Sequence, residues 1–460
     1  MKKALMWSVI PLDNRCSRDD MLIENRIGSN SGNLLFHTSM ARALTLDESG
    51  VPDTCFTEVG RDLAAFADRA NATYRAFVMP LANAFRANYI PRLRTLTKLV
   101  RALSIPCIVT GVGIQADEAE AAARGFSFDA DVHAFVDAVL DKSAMLGVRG
   151  HVTAGYLKHL GYVEDRHFTV IGCPSMYSFG PSLPTVDMGE LRADAEICYN
   201  GKADSAQEIR AFTHGALRRF PNHTYIAQNL DELRMLRAGV PVFPASIRPA
   251  PEYIPMTRLH RRVRAGRAVG FLDAGTWIAA MRGMALSFGC NIHGNVAALL
   301  AGVPAVVLEK DQRVAEIARY HDIPTVTMAQ MRAGVDPMRA FECADFSRFN
   351  EGHAERFGRF AAFMDANGLA HIDAAAYADA PYDRALARQT APGAVRPLAW
   401  QSAQERRAAR AMASLSAASW RRKAEAKLRR SLGAAIAASR AMVPFPFRLR
   451  PAMGKMSLQK

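Results

Sequence analysis

Short apolar runs alternate along this chain with longer segments of helical spacing. Residues 105–110 are apolar and β-rich and end at Gly111-Val112-Gly113-Ile114-Gln115. Over 129–143, Val132, Phe135, Val136, Val139 and Leu140 recur at helical spacing, 145–148 reads as a strand, 153–160 as a helix and 168–171 as the next strand. A second series begins at 195–199, continues at 224–228 and closes at 285–289 and 305–308. Strand, helix, strand, repeated, predicts mostly parallel, doubly wound sheets. Between the two series lies Gly180-Pro181-Ser182-Leu183-Pro184-Thr185, whose turn residues predict a linker. The expected fold class is therefore α/β, with two doubly wound, Rossmann-like domains across a cleft: 1–180, then 186–390, then a basic extension over 391–460 that is partly helical or disordered. The run from Ala4 to Leu12 is short, contains Ser8 and Pro11 and lacks a small-residue cleavage pattern, so it predicts a first strand rather than a leader.

Chemistry concentrates at Ser287-Phe288-Gly289-Cys290-Asn291-Ile292-His293-Gly294-Asn295, which runs into Val296 to Pro304 and the apolar run 305–308. The pattern is strand end, polar turn, short helix, Gly-Val-Pro stop, next strand. Backbone N–H groups at such a helix start lack intrahelical partners and face the crevice at the strand's carboxyl end, where an anion is favoured. His293 stands at that mouth. Gly-Asn at a helix start is also ordinary capping chemistry.

Four collinear blocks resemble the polysaccharide pyruvyl transferase family. They are Asn30-Ser31-Gly32-Asn33, Val148-Arg149-Gly150 leading to Gly172-Cys173-Pro174, the block from Asn291-Ile292-His293-Gly294 to Gly302-Val303-Pro304, and Asp311-Gln312-Arg313-Val314-Ala315-Glu316. Two positions depart from the family pattern. Asn291 stands where an arginine is usual, removing a fixed charge and a bidentate donor, and Asn33 stands where many relatives have aspartate. Arg149, Arg282 and Arg313 are candidates for the missing cation; Asp117, Glu118 and Asp273 are candidates for a missing base. The resemblance also implies a GT-B-like arrangement of the two domains.

The activity that the resemblance implies is transfer of the enolpyruvyl carbons of phosphoenolpyruvate onto two hydroxyls of a saccharide, giving a cyclic ketal and phosphate. It assigns His293 as catalytic residue, acting as the acid or as a hydrogen-bond donor that contacts phosphate, with Asn291, Gly294, Asn295, Arg149 and Arg313 on the donor side. Asn33, Gly113 and Gln115 fall on the acceptor side, where amides match sugar hydroxyls. No metal and no cofactor beyond phosphoenolpyruvate as co-substrate is expected. Asp311 and Glu316 are read as orienting Arg313 or capping the helix that follows.

Composition sharpens the picture in two places. Of the formal net charge of +14, +12 falls in residues 401–460, leaving the rest of the chain nearly neutral. That tail is alanine-rich, with Trp420, Ala424 and Leu428 at four-residue spacing beside Arg421-Arg422-Lys423, a pattern suited to an anionic membrane surface or to a solvated extension. No recognition fold for nucleic acid is visible in it. The seven cysteines are scattered without Cys-x-x-Cys spacing, which predicts reduced thiols and a cytoplasmic protein, peripheral at the inner face of the membrane if the tail binds there. The acceptor would then be a saccharide on a lipid carrier. Two other functions fit the same pattern: a GT-B glycosyltransferase using a nucleotide sugar, and a non-catalytic saccharide-binding or assembly protein.

Overall fold

The apolar runs of the first 180 residues pair in parallel. A computed structural model describes residues 2–13, 15–56, 62–115, 125–242, 251–399 and 402–441. Strands β1 (Ala4–Trp7), β2 (Asp53–Cys55), β3 (Ala76–Pro80) and β4 (Cys107–Thr110) form a sheet in the order β2-β1-β3-β4. Beside it, β5 (Leu146–Val148) pairs with β6 (Phe168–Val170), and a parallel bridge between Val112 and Val148 joins the two pieces. Every residue of β1, β3 and β4 is buried, because helices cover both faces, and this is why their sequences read as apolar runs, broken only by Thr110 at the end of β4. The first strand stops at Trp7, so the rest of the 4–12 run is loop: Ser8 turns the chain by accepting the Ile10 N–H at 2.9 Å.

The second sheet is also parallel. Its strands β7 (Ile197–Asn200), β8 (His223–Ala227), β9 (Ala268–Gly270), β10 (Leu286–Gly289), β11 (Ala305–Leu308) and β12 (Thr325–Val326) lie in the order β12-β11-β10-β7-β8-β9. This is a doubly wound Rossmann-like order, and its direction reverses between β7 and β10. At such a reversal the two adjacent crossovers leave the sheet on opposite faces and open a crevice outside the strands' carboxyl ends. At that crevice Gly289 adopts φ +144°, and a Cβ there would lie 2.1 Å from the Asn200 carbonyl oxygen. Only glycine lets β10 end so close to β7.

The two sheets point their carboxyl ends into the same interdomain space, a GT-B-like arrangement. The Ser31 N–H donates to the Gln228 carbonyl (2.9 Å) and the Leu230 N–H to the Ser29 carbonyl (3.1 Å), tying the loop before the helix Gly32–Leu44 to the loop after β8. Glu316, on the helix Gln312–Tyr320, reaches across the domains and accepts the Thr153 N–H at 2.7 Å, capping the start of the helix His151–His159. It therefore caps a helix of the other domain rather than its own, which Asp311 caps by accepting the Val314 N–H at 3.0 Å.

After β12 the chain returns to the first domain. The helix Ser347–Ala366 ends where Asn367 accepts the Met145 N–H (3.1 Å), and the buried Arg42 pairs with Asp383 at 2.6 Å. Residues 393–395 then lie antiparallel along the outer edge of β9. A basic helical extension, Ala403–Ala441, follows. Its first turns bury Ala408, Ala409, Met412 and Ser416 against the helices Arg18–Ile23 and Leu230–Ala238, while Trp420, Arg421 and Arg422 are exposed. Leu428 lies beyond the described side chains. Among the described residues no helix is long and apolar enough to cross a membrane.

The interdomain cap yields a test. Glu316→Ala leaves the Thr153 N–H buried without an acceptor and should lower stability by about 1–3 kcal/mol, whereas Glu316→Gln retains an acceptor and should cost less. Thermal unfolding of the two variants measures this, and equal melting temperatures for Glu316→Ala and wild type would remove the cap from the contacts that hold the domains together.

Candidate functional site

The strand–turn–helix unit at 287–308 builds one wall of the crevice. The turn is held by amides, with one ammonium against them. The Asn291 N–H donates to Asn200 Oδ1 (2.7 Å), its side-chain Nδ2 to the Gly201 carbonyl (3.0 Å), and its Oδ1 accepts from Lys310 Nζ (3.2 Å). Asn295 is wholly buried: its Nδ2 donates to the Gly289 carbonyl (2.9 Å), and its Oδ1 accepts from Ser287 Oγ (3.0 Å) and Asn200 Nδ2 (3.2 Å). Both asparagines, expected among the donor-binding residues, thus direct their side chains into the fold and lock β7 to β10. Gly294 sits beside them, and its N–H donates to the Asn291 carbonyl at 3.0 Å.

His293 follows this turn and faces the first domain. A Cβ on Gly32 would lie 2.7 Å from the His293 Cβ, so the glycine at the start of the helix Gly32–Leu44 is what lets that helix close on the imidazole. His293 Nε2 stands 3.8 Å from Cys173 Sγ, on the turn after β6, and its ring lies 5.8 Å from Phe36. Burial pushes the imidazole down to about 3, helped by the neighbouring charges of Arg149, Arg313 and Lys310. It is a neutral ring among cations.

The opposite wall comes from loops at the carboxyl ends of β3, β4 and β5. Arg149 is buried; its Nη1 donates to Asn83 Oδ1 at 2.9 Å, while its Nε finds no hydrogen-bond partner among the described residues. The Arg149 chain lies beside Gly113, whose added Cβ would make only ordinary contact at 3.5 Å, so the glycine is not required for that packing. Gln115 is exposed and accepts from Arg86 Nη1 (3.3 Å), and the Arg86 and Arg313 charges oppose each other. Arg313 itself is half-buried, with Asp311 Oδ2 at 3.3 Å.

The structure therefore brings His293, Arg149, Arg313 and the Gly113–Gln115 turn to one crevice. Asn33 lies at its edge, but its Nδ2 donates to the carbonyls of Ile27 (3.0 Å) and Gly28 (3.1 Å), making it a strut of the preceding loop. Arg282 is elsewhere, lining a separate cavity of about 460 Å³ beside Ile10, Leu34 and Leu272. Asp273 caps the helix Ala274–Met281 through Thr276 N–H (2.7 Å) and accepts the Gly393 N–H (2.7 Å), a structural use of both oxygens. Asp117 and Glu118 lie outside the described residues.

Two residues of the site carry no motif. His37 is buried, stands one helical turn beyond Asn33, and donates from Nδ1 to the Asn33 carbonyl at 2.8 Å; burial pushes it down to about 4. Lys310 is the second residue after β11, the strand paired beside β10, so the topology places it at the mouth although the sequence around it reads as a plain strand exit. The cations at this crevice can hold an oxyanion against the neutral imidazole, which is the arrangement of an anionic-substrate site.

The sequence model of the polysaccharide pyruvyl transferase family matches residues 82–312, half of the chain. No curated protein matches it. Among solved structures, the UDP-GlcNAc 2-epimerase of Methanocaldococcus jannaschii in complex with UDP-GlcNAc and UDP is similar over 79% of this chain and 99% of its own, at 10% identity and a TM-score of 0.38. The sucrose-phosphate synthase of Thermosynechococcus elongatus is similar over 79% of this chain and 96% of its own, at 10% identity and a TM-score of 0.39. The fold assignment rests on the strand orders given above.

The depressed imidazoles make a prediction about pH. In the unfolded chain His293 takes up a proton as the pH falls below its ordinary 6.5, while in the folded state it stays neutral to about 3. The unfolded state thus binds more protons in that window, and stability that is complete above 6.5 is lost as the pH falls. Wild type should lose stability relative to His293→Gln by about 1.4 kcal/mol per pH unit between 6 and 4. Parallel stability curves for the two proteins would show that the ring is not held neutral.

Proposed function

The chain belongs to the polysaccharide pyruvyl transferase family, and from that premise we propose that it transfers the enolpyruvyl carbons of phosphoenolpyruvate to two hydroxyls of a saccharide as a cyclic ketal. The observation that carries this reading is the gathering of Arg149, Arg313 and a neutral His293 where the carboxyl ends of the two sheets face each other. Phosphoenolpyruvate brings a phosphate and a carboxylate on one carbon, and the cations suit both.

In this reading a proton is added to the donor's methylene carbon, making it the methyl group, and the first hydroxyl attacks the adjacent carbon. The bond from that carbon to the phosphate oxygen breaks, and the second hydroxyl closes the ketal. The two hydroxyl protons balance the proton placed on the methyl group and the one that leaves with phosphate. His293 is the proton carrier. Its ring is neutral among cations, and a bound trianion reverses the local field and raises its affinity for a proton, so that the acid forms only when donor is present. Arg149 and Arg313 stabilise the charge that accumulates on the departing phosphate.

The acceptor side of the reading is a saccharide at the Gly113–Gln115 turn, carried on a lipid at an anionic membrane surface. The exposed Trp420, Arg421 and Arg422 of the C-terminal helix supply an aromatic and two cations for such a surface.

Thermal stabilisation tests the donor. Phosphoenolpyruvate at a hundredfold excess over its dissociation constant should stabilise the folded protein by about 2.7 kcal/mol. Pyruvate should not do so, and His293→Ala should abolish ketal formation while unfolding at nearly the wild-type temperature. A response to uridine diphosphate with none to phosphoenolpyruvate would assign the crevice to a nucleotide-sugar glycosyltransferase instead. A chain ending at Ser419 keeps the buried turns of the last helix and should retain its stability while losing salt-sensitive binding to vesicles of anionic lipid; undiminished vesicle binding would remove the tail from membrane attachment.

A further inference from the structure

We infer that Lys310 is a further anion-holding cation on the second-domain side of the crevice, beside Arg313, supplying from the exit of β11 the charge that position 291 lacks. The inference rests on the reading of the crevice as a site for an anionic donor, and its geometry comes from the strand register. Gly289 pairs with Val307 across β10 and β11, a register that carries Asn291 level with residue 309, so Lys310 leaves its strand one residue beyond and beside Asn291. Lys310 Nζ reaches Asn291 Oδ1 at 3.2 Å. Asn291 is then a positioning residue: its Nδ2 is fixed by the Gly201 carbonyl at 3.0 Å, which leaves its Oδ1 turned toward the ammonium. A positive charge has moved sideways by one strand and still stands beside the start of the His293 helix.

A structural role for this ammonium is hard to sustain. Among the described residues no carboxylate lies within ion-pair distance of it, and the Asn291 amide accounts for one of its three N–H donors. The charged and titratable groups around it are Lys202 after β7, Arg313 on the helix after β11 and Asp311 at its cap, Cys290 after β10, and His293, whose proton affinity Lys310 itself lowers. Burial, with Lys202 and Arg313 beside it, lowers Lys310 to about 8, against an ordinary 10.5. A cation kept in a desolvated place near two others lowers the stability of the ligand-free fold, and a bound oxyanion removes that disadvantage. The expected signature is therefore opposite in sign for folding and for binding, which a packing or capping residue would not give.

The experiment uses the full chain as wild type, Lys310→Met, Lys310→Arg, Asn291→Arg and the Asn291→Arg/Lys310→Met double variant, with calorimetric titration of phosphoenolpyruvate, inorganic phosphate and uridine diphosphate at low salt. Lys310→Met should unfold at the wild-type temperature or above it and bind its anion at least tenfold more weakly. Lys310→Arg should bind as wild type does. The double variant should recover affinity relative to Lys310→Met, because arginine at 291 restores a cation to the same place. Relative to Lys310→Arg, which shares every other titration, the affinity of wild type should decline above pH 8 as the ammonium loses its proton. Unchanged affinity in Lys310→Met overturns the inference, and so does a wild type that binds none of the three anions. If phosphate or uridine diphosphate binds, phosphoenolpyruvate does not, and Lys310→Met still weakens the anion that does, then the pyruvyl donor reading fails while the assignment of Lys310 stands.

Discussion

Positive charges at the edge of a desolvated crevice repel one another, and the rest of the molecule is arranged so that they stay there. Arg149, Lys310 and Arg313 all act to lower the proton affinity of His293. What opposes their repulsion is backbone and amide hydrogen bonding from both domains: Asn83 on Arg149, Asn291 on Lys310, and the Asn200–Asn295 pair that holds β7 to β10. On Arg149 and Lys310 neutral partners orient the cation without cancelling it, while Arg313 has Asp311 Oδ2 at 3.3 Å. Had carboxylates filled these places, the crevice would be more stable when empty and a poorer host for an anion.

This explains where the carboxylates of the region lie. Asp311 and Glu316 flank the crevice, yet each accepts a backbone N–H at a helix start, Val314 in one case and Thr153 in the other. Burial raises Glu316, and the Thr153 N–H and the Arg149 charge act against that rise. Its cap joins a helix of the second domain to one of the first. The contact that aligns the two walls thus also occupies a carboxylate oxygen of Glu316, while Asp311 keeps its second oxygen, Oδ2, for Arg313 at 3.3 Å.

Much of the architecture is legible in the sequence because parallel strands covered on both faces are largely apolar, as β1 and β11 are throughout. The strand order is not, since it depends on which runs pair across helices, and it is the order that puts Lys310 beside Asn291. The site is legible to the degree that backbone conformation constrains it: the Gly-Asn turn around His293 and the Val-Arg-Gly exit of β5 leave a local imprint. Side-chain direction leaves none. Asn33, Asn291 and Asn295 have the chemistry to bind a sugar or a phosphate, and each is used by its own loop or by the neighbouring strand. His37 escapes notice because a buried histidine on a helix looks like any other half-polar core position.

The two asparagine departures from the family pattern then have different physical meanings. At position 33 both amide hydrogens are committed to carbonyls of the preceding loop, so an aspartate there would face two acceptors with no proton to offer, and the loop would have to change shape to admit it. At position 291 the amide bridges Gly201 and Lys310, a pairing that arginine would break on the lysine side, since it offers no acceptor to an ammonium. An arginine at 291 and a lysine at 310 would repel each other in the same desolvated place. The residue at each position is therefore coupled to the other: asparagine is compatible with the crevice because the adjacent strand delivers a cation, and the lysine can remain there because asparagine accepts from it.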